Sequence, residues 1–112
     1  MSEDLSLSLS ETEALSLTQA AVALDNARQT KDQKELAAAL ENNIHVWTAI
    51  KTMADSKEVN LPETVRVNLG RLAGFVAATT LSNGAQISDE AINTLINVNL
   101  QISEGLLEGR RK

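Results

Sequence analysis

The chain has no cysteine and no tyrosine, and its 112 residues include one proline, five glycines, one phenylalanine and one tryptophan. Without cysteine there is no disulfide scaffold, no thiolate metal site and no thiol redox chemistry, and nothing calls for an oxidising compartment. With Phe75 and Trp47 as the only aromatics, a base-stacking nucleic-acid platform is excluded, and any core must be aliphatic and alanine-rich. So few glycines and prolines favour long helices over many strands and turns. The longest apolar runs, Ala20–Leu24 and Leu36–Leu40, are five residues each, far short of the ~20 needed to span a bilayer. Glu3 and Asp4 stand where a secretory signal would place Lys or Arg. The expectation is a cytoplasmic protein with no membrane association.

Hydrophobic residues make up 43% of the chain, enough for the core of one domain and too many for disorder throughout. The net charge of −5 is unevenly placed. Residues 1–25 hold five acids (Glu3, Asp4, Glu11, Glu13 and Asp25) and no base, whereas the remainder holds ten of each. A phosphate-binding surface needs clustered Lys and Arg. The one basic cluster, Arg110–Arg111–Lys112, reads as a solvated helix C-terminus that complements the dipole.

The hydrophobic pattern predicts an all-α fold: a compact bundle of about four helices behind a flexible acidic N-terminal arm. Residues 1–11 form the arm and 12–112 a single helical domain. Leu5, Leu7 and Leu9 alternate with serine, a strand-like period with no partner strand in a helical chain, so a flexible or partner-docking arm is expected. From Thr12 to about Arg28 the pattern is helical. Leu15 and Val22 fall on one side and Leu17, Ala20, Ala21, Leu24 and Ala27 on the other, so this helix is either well buried or partnered twice. In the second helix, about Lys34 to Ala54, Leu36, Leu40, Asn43, Trp47, Ile50 and Ala54 are spaced 4-3-4-3-4, a core stripe. Here Trp47 is assigned as an aromatic anchor and Asn43 as a polar group that fixes register. His45 falls on the opposite, solvated side.

Asn60-Leu61-Pro62-Glu63 restarts the helix, with Asn60 or Leu61 at the cap and Pro62 in the first turn, so Leu61 and Pro62 are assigned to a structural hinge. The third helix runs to about Leu81 with Val65, Leu69, Leu72, Val76 and Thr79 on one face. Gly70 and Gly74 lie on the other, where they suggest close approach of another backbone. Ser82-Asn83-Gly84 ends it. Ser88 caps the fourth helix, with Asp89 and Glu90 in its first turn and Ile87 and Ile92 placed as a hydrophobic staple. This helix, reaching about Glu108, has two apolar stripes with Asn99 and Ser103 between them, an arc of roughly 200° where a surface helix needs nearer ~100°. The excess fits either complete burial or an open binding groove, because both require the same periodicity.

No catalytic set can be assembled. The single histidine lies on a polar face, no nucleophile-elbow motif is present, and the carboxylates lack EF-hand or zincin spacing. The expectation is a non-enzyme without cofactor or metal.

Three stretches carry a family resemblance. Ala39-Leu40, Asn43 and Val46-Trp47-Thr48 resemble the "AL..N...WT" segment of the FlaF family of flagellin synthesis regulators. Asn60-Leu61-Pro62 is similar to its "N.LP" hinge, and Leu95-Ile96-Asn97-Val98-Asn99 with Ile102 and Gly105-Leu106 is similar to its "LI.IN..I..GL" ending. The resemblance spans residues 36–107. It departs from the family in lacking an aromatic near the start and in placing Ile44-His45, not a basic residue, after Asn43.

The resemblance implies a small helical protein of flagellated alphaproteobacteria that binds flagellin as a chaperone-like partner and acts alongside the translational regulator FlbT. On this reading an amphipathic flagellin helix docks along helix four and one face of helix one. Leu95, Ile96, Asn99, Ile102 and Leu106 are the candidate contacts, with ordinary core as their alternative assignment. Two other readings stand beside it: control of flagellin mRNA translation through a partner such as FlbT, without direct contact to nucleic acid, and a homodimeric helical interaction protein. The oligomeric state is left open.

Overall fold

The computed structural model describes the backbone of residues 2–56, 61–83 and 86–110 and the side chains of residues 11–56, 61–82 and 86–107. Four helices account for nearly all of it: α1 (Ser2–Thr30), α2 (Gln33–Asp55), α3 (Glu63–Asn83) and α4 (Asp89–Arg110). Backbones approach closely between α1 and α4, α1 and α2, and α2 and α3. Contacts between Arg28 and Asn93, Leu17 and Asn99, and Ala14 and Ser103 run in opposite directions along α1 and α4, so the two are antiparallel. The molecule is elongated, 45 × 21 × 18 Å, and its long axis matches the ~43 Å expected of a 29-residue helix at 1.5 Å per residue.

The backbone is helical from Ser2, ten residues ahead of the expected start at Thr12. The leucine–serine alternation is therefore carried on a helix and makes no strand. Asn60, Gly84, Arg111 and Lys112 lie outside the described residues, as do the side chains of Leu5, Leu7, Leu9, Asn83 and Arg110, so the expectations that rest on them are not addressed.

Local chemistry explains each helix boundary. Lys31 takes the left-handed conformation (φ 59°) that ends α1, and its N–H donates to the Ala27 carbonyl. Asp32 then caps α2, its carboxylate accepting from the Lys34 and Glu35 N–H groups. The C-terminal carbonyls of α2 are met from the next helix: the Arg66 guanidinium donates to the carbonyls of Ala54 and Ser56. The Pro62 carbonyl accepts the first bond of α3 from Arg66 N–H, so the proline sits at the cap itself, one position earlier than expected. Ser88 caps α4 through its hydroxyl, which accepts from Ala91 N–H. Ile87 and Ile92 are both buried across that cap, as the staple requires.

The core is aliphatic and alanine-rich around one large ring. Leu17, Ala20, Ala21, Leu24 and Ala27 of α1 are buried, while Leu15 (59%) and Val22 (53%) are exposed. From α2, Leu40, Asn43, Trp47, Ile50 and Ala54 are buried, with Leu36 and Leu61 half-buried against them, and His45 is exposed. Fully buried aliphatic side chains such as Leu24 and Ile50 each contribute roughly 1.5–3 kcal/mol relative to exposure.

Helix α3 departs from expectation in two ways. Its buried line is Leu69, Ala73, Val76 and Thr80, with Leu72 half-buried, while Val65 is exposed at the edge. The line is rotated because α3 packs mainly on α2. The glycines also do not admit a neighbouring backbone: a Cβ added at Gly70 or Gly74 would meet no atom within 4 Å. Since Gly74 is exposed in mid-helix, Gly74→Ala is expected to raise stability by about 0.5–1 kcal/mol, readable as a higher urea midpoint at unchanged slope.

Candidate functional site

The wide apolar arc of α4 is divided among three surroundings. Its centre is core. Leu95 and Asn99 are wholly buried, Ile96 is 9% exposed and Ser103 is 4% exposed. Three of the expected contact residues, Leu95, Ile96 and Asn99, therefore face inward, because α4 lies against α1 and reaches α2 through its side chains. Ile102 and Leu106 are half-buried at the edge toward α3. Leu100 and Leu107, 42% and 40% exposed, lie on the other edge.

A polar network joins the three helices at the buried centre. Asn99 Oδ1 accepts from Trp47 Nε1 at 2.8 Å. Its amide Nδ2 donates to Asn43 Oδ1 at 2.7 Å and to the Leu17 carbonyl at 3.2 Å. One turn along α4, the Ser103 hydroxyl donates to the Ala14 carbonyl at 2.8 Å, with the Thr18 hydroxyl 2.9 Å away. Buried polar groups are costly unless paired, so this arrangement fixes the register of α1, α2 and α4 together. Asn43 Nδ2 is left without a partner. Asn43 and Trp47 both lie within this buried network, Leu61 packs against the core, and Pro62 stands at the start of α3.

Because α3 packs on α2 and not closely on α4, an open groove of about 700 Å³ lies between α3 and α4. Its walls are Val65 and Leu69 on one side and Ile102 and Leu106 on the other; Gly105, with no side chain, widens it. Val67, 52% exposed, stands at its outer edge. Glu63 and Arg71 supply one charge of each sign along the α3 rim. A smaller depression of about 440 Å³ lies over α1 and α4, where Leu15 and Leu107 flank the Ser103–Thr18 pair. Glu13, near this end of α1, has its carboxyl pushed above the ordinary value by partial burial.

Among the described residues, no three His, Asp or Glu side chains are grouped so as to hold a metal ion. No described helix is long and apolar enough to cross a membrane. What the α3–α4 groove can do chemically is bind an apolar surface between two opposite charges. Sequence reasoning named Ile102 and Leu106 as candidate contacts but not the α3 residues that line the groove with them. Val65 was read only as part of one face of the third helix, and Arg71 was not singled out.

No curated protein and no solved structure matches the chain. A family model described as "Flagellar protein FlaF" matches residues 2–106, which takes in all of α1, α2 and α3 and both walls of the groove. The chain belongs to the FlaF family of flagellar proteins.

Proposed function

We propose that this protein is a cytoplasmic, chaperone-like partner of flagellin that holds an amphipathic flagellin helix in the groove between α3 and α4, and so supports flagellin synthesis and secretion. The observation that carries the reading is the groove itself, with Val65, Leu69, Ile102 and Leu106 lining a slot open to solvent in a protein of a flagellar family. Helix-in-groove recognition uses apolar anchors at i, i+3 or i+4, and i+7, and a slot with one wall on each of two helices accommodates that stripe. Shielding such a helix would keep the subunit from premature assembly. On this reading Ile102, Leu106 and Val65 are the contacts, and the buried Leu69 is the floor between them.

The test is calorimetric titration of the full chain with purified monomeric flagellin at two salt concentrations. Binding at micromolar Kd or tighter is expected, little changed by salt. The Val65→Asp, Leu106→Asp variant, checked for helicity by circular dichroism, is expected to bind at least about tenfold more weakly, since a charge facing an apolar anchor is strongly penalised. Wild-type protein that does not bind flagellin would overturn the reading, as would a folded variant that binds equally well.

A further inference from the structure

The charges around the groove have a symmetry of their own. Glu63 and Arg71 both line it, and Val67 stands midway between them, four residues from each. The two charges are thus ~12 Å apart along α3, with the apolar residue at the centre. All three reach solvent: Glu63 keeps 82% of its side-chain surface, Val67 is 52% exposed and Arg71 is exposed. Arg71 forms no ion pair with any described residue, and the Glu63 carboxylate is only loosely held, 3.8 Å from Arg66 Nε. Gly70 leaves the backbone bare on the same stretch, with nothing within 4 Å of where a Cβ would stand.

We infer that the exposed outer stripe of α3, at the groove's edge, accepts a second copy of this chain, α3 packing antiparallel on α3 of the partner about a two-fold axis through Val67. A two-fold interface brings a surface against itself, so residue 67 + k meets residue 67 − k of the other copy. In that register each Glu63 faces an Arg71, giving two ion pairs, and the two Val67 side chains meet at the centre. Each Gly70 faces a Thr64, which lets the backbones approach. Parallel packing would set Glu63 against Glu63 and Arg71 against Arg71, so the charges select the antiparallel form. The complementary charge pattern is thus carried by the chain itself. The inference is independent of flagellin binding, because the stripe of Glu63, Val67 and Arg71 lies nearly half a turn around α3 from the groove walls Val65 and Leu69.

Sedimentation equilibrium on the full chain tests it, with Glu63→Lys and Arg71→Glu made separately. Both positions are exposed, and circular dichroism verifies that each variant folds. The wild type is expected to dimerise reversibly, more weakly at high salt because the ion pairs are exposed. Either variant alone turns both attractive pairs repulsive and is expected to weaken dimerisation by about tenfold or more. An equimolar mixture of the two variants restores opposite charges at both pairs and is expected to recover the wild-type association. A wild type that stays monomeric to about millimolar concentration would overturn the inference. So would a dimer indifferent to either substitution, or a mixture that associates no better than its components.

Discussion

Asn99→Ala is expected to lower the stability of the fold by about 4 kcal/mol. Asn99 makes three buried side-chain hydrogen bonds: it accepts from Trp47 and donates to Asn43 and to the Leu17 carbonyl. Truncation leaves Trp47 Nε1–H and Asn43 Oδ1 unpaired, at about 1–3 kcal/mol each. Asn43 would then have no side-chain partner at all, because its Nδ2 already lacks one. The vacated volume adds a cavity cost. Against a typical total of about 5–15 kcal/mol this is a large fraction, and the melting temperature should fall by about 15–20 °C. Thermal and urea unfolding followed by Trp47 fluorescence and by circular dichroism would measure it. Asn99→Asp separates hydrogen bonding from volume. A carboxylate of the same shape cannot donate to Asn43 or Leu17, so the variant should be unstable at neutral pH. It should recover as pH falls and the buried carboxyl takes up a proton. A loss under about 1 kcal/mol in Asn99→Ala would mean the network contributes little.

Trp47→Ala is expected to be the most damaging single substitution, at about 4–5 kcal/mol. The ring is 1% exposed and is the largest fully buried side chain. Deleting it opens the largest cavity available in this core and also strands Asn99 Oδ1. Trp47→Phe retains most of the apolar area and loses the indole N–H, so about 1–2 kcal/mol is expected. The two sites touch, so their effects will not add. A cycle combining Trp47→Phe with Asn99→Ala should give a coupling energy of about 1–2 kcal/mol, read from urea unfolding monitored by circular dichroism. Zero coupling would contradict the bond between them.

The polar network lies at the middle of the bundle and the groove at its edge. Substitutions at Asn99 and Trp47 should change the amount of folded protein, and under the proposed function those at Val65 and Leu106 should change flagellin binding instead. Asn99 therefore makes a poor probe of binding, because its substitution would lower binding by unfolding the site.

Much of this architecture was determined by the sequence alone. The stripe from Leu40 to Ala54 could face only inward, and Ser88 with Ile87 and Ile92 specified where α4 begins. Leu17, Ala21 and Leu24 opposite Leu15 and Val22 gave α1 two apolar faces, and only the packing left Leu15 and Val22 exposed. The family was legible as well, since its motifs lie in order along the chain. These are local properties: periodicity, capping and turn chemistry act over a few residues. The groove was not legible, and neither was the role of Asn99. Around α4 the apolar arc is the same whether a neighbour covers all of it or part. The length of the apolar pattern does not record that α3 packs on α2 and stands off α4. The partners of Asn99 lie 52, 56 and 82 residues away in the chain, and only the antiparallel register of α1 and α4 brings them together. Apolar periodicity determined which residues leave water, and tertiary packing decided which of them meet, because hydrogen-bond distance and groove width depend on how whole helices are set against one another.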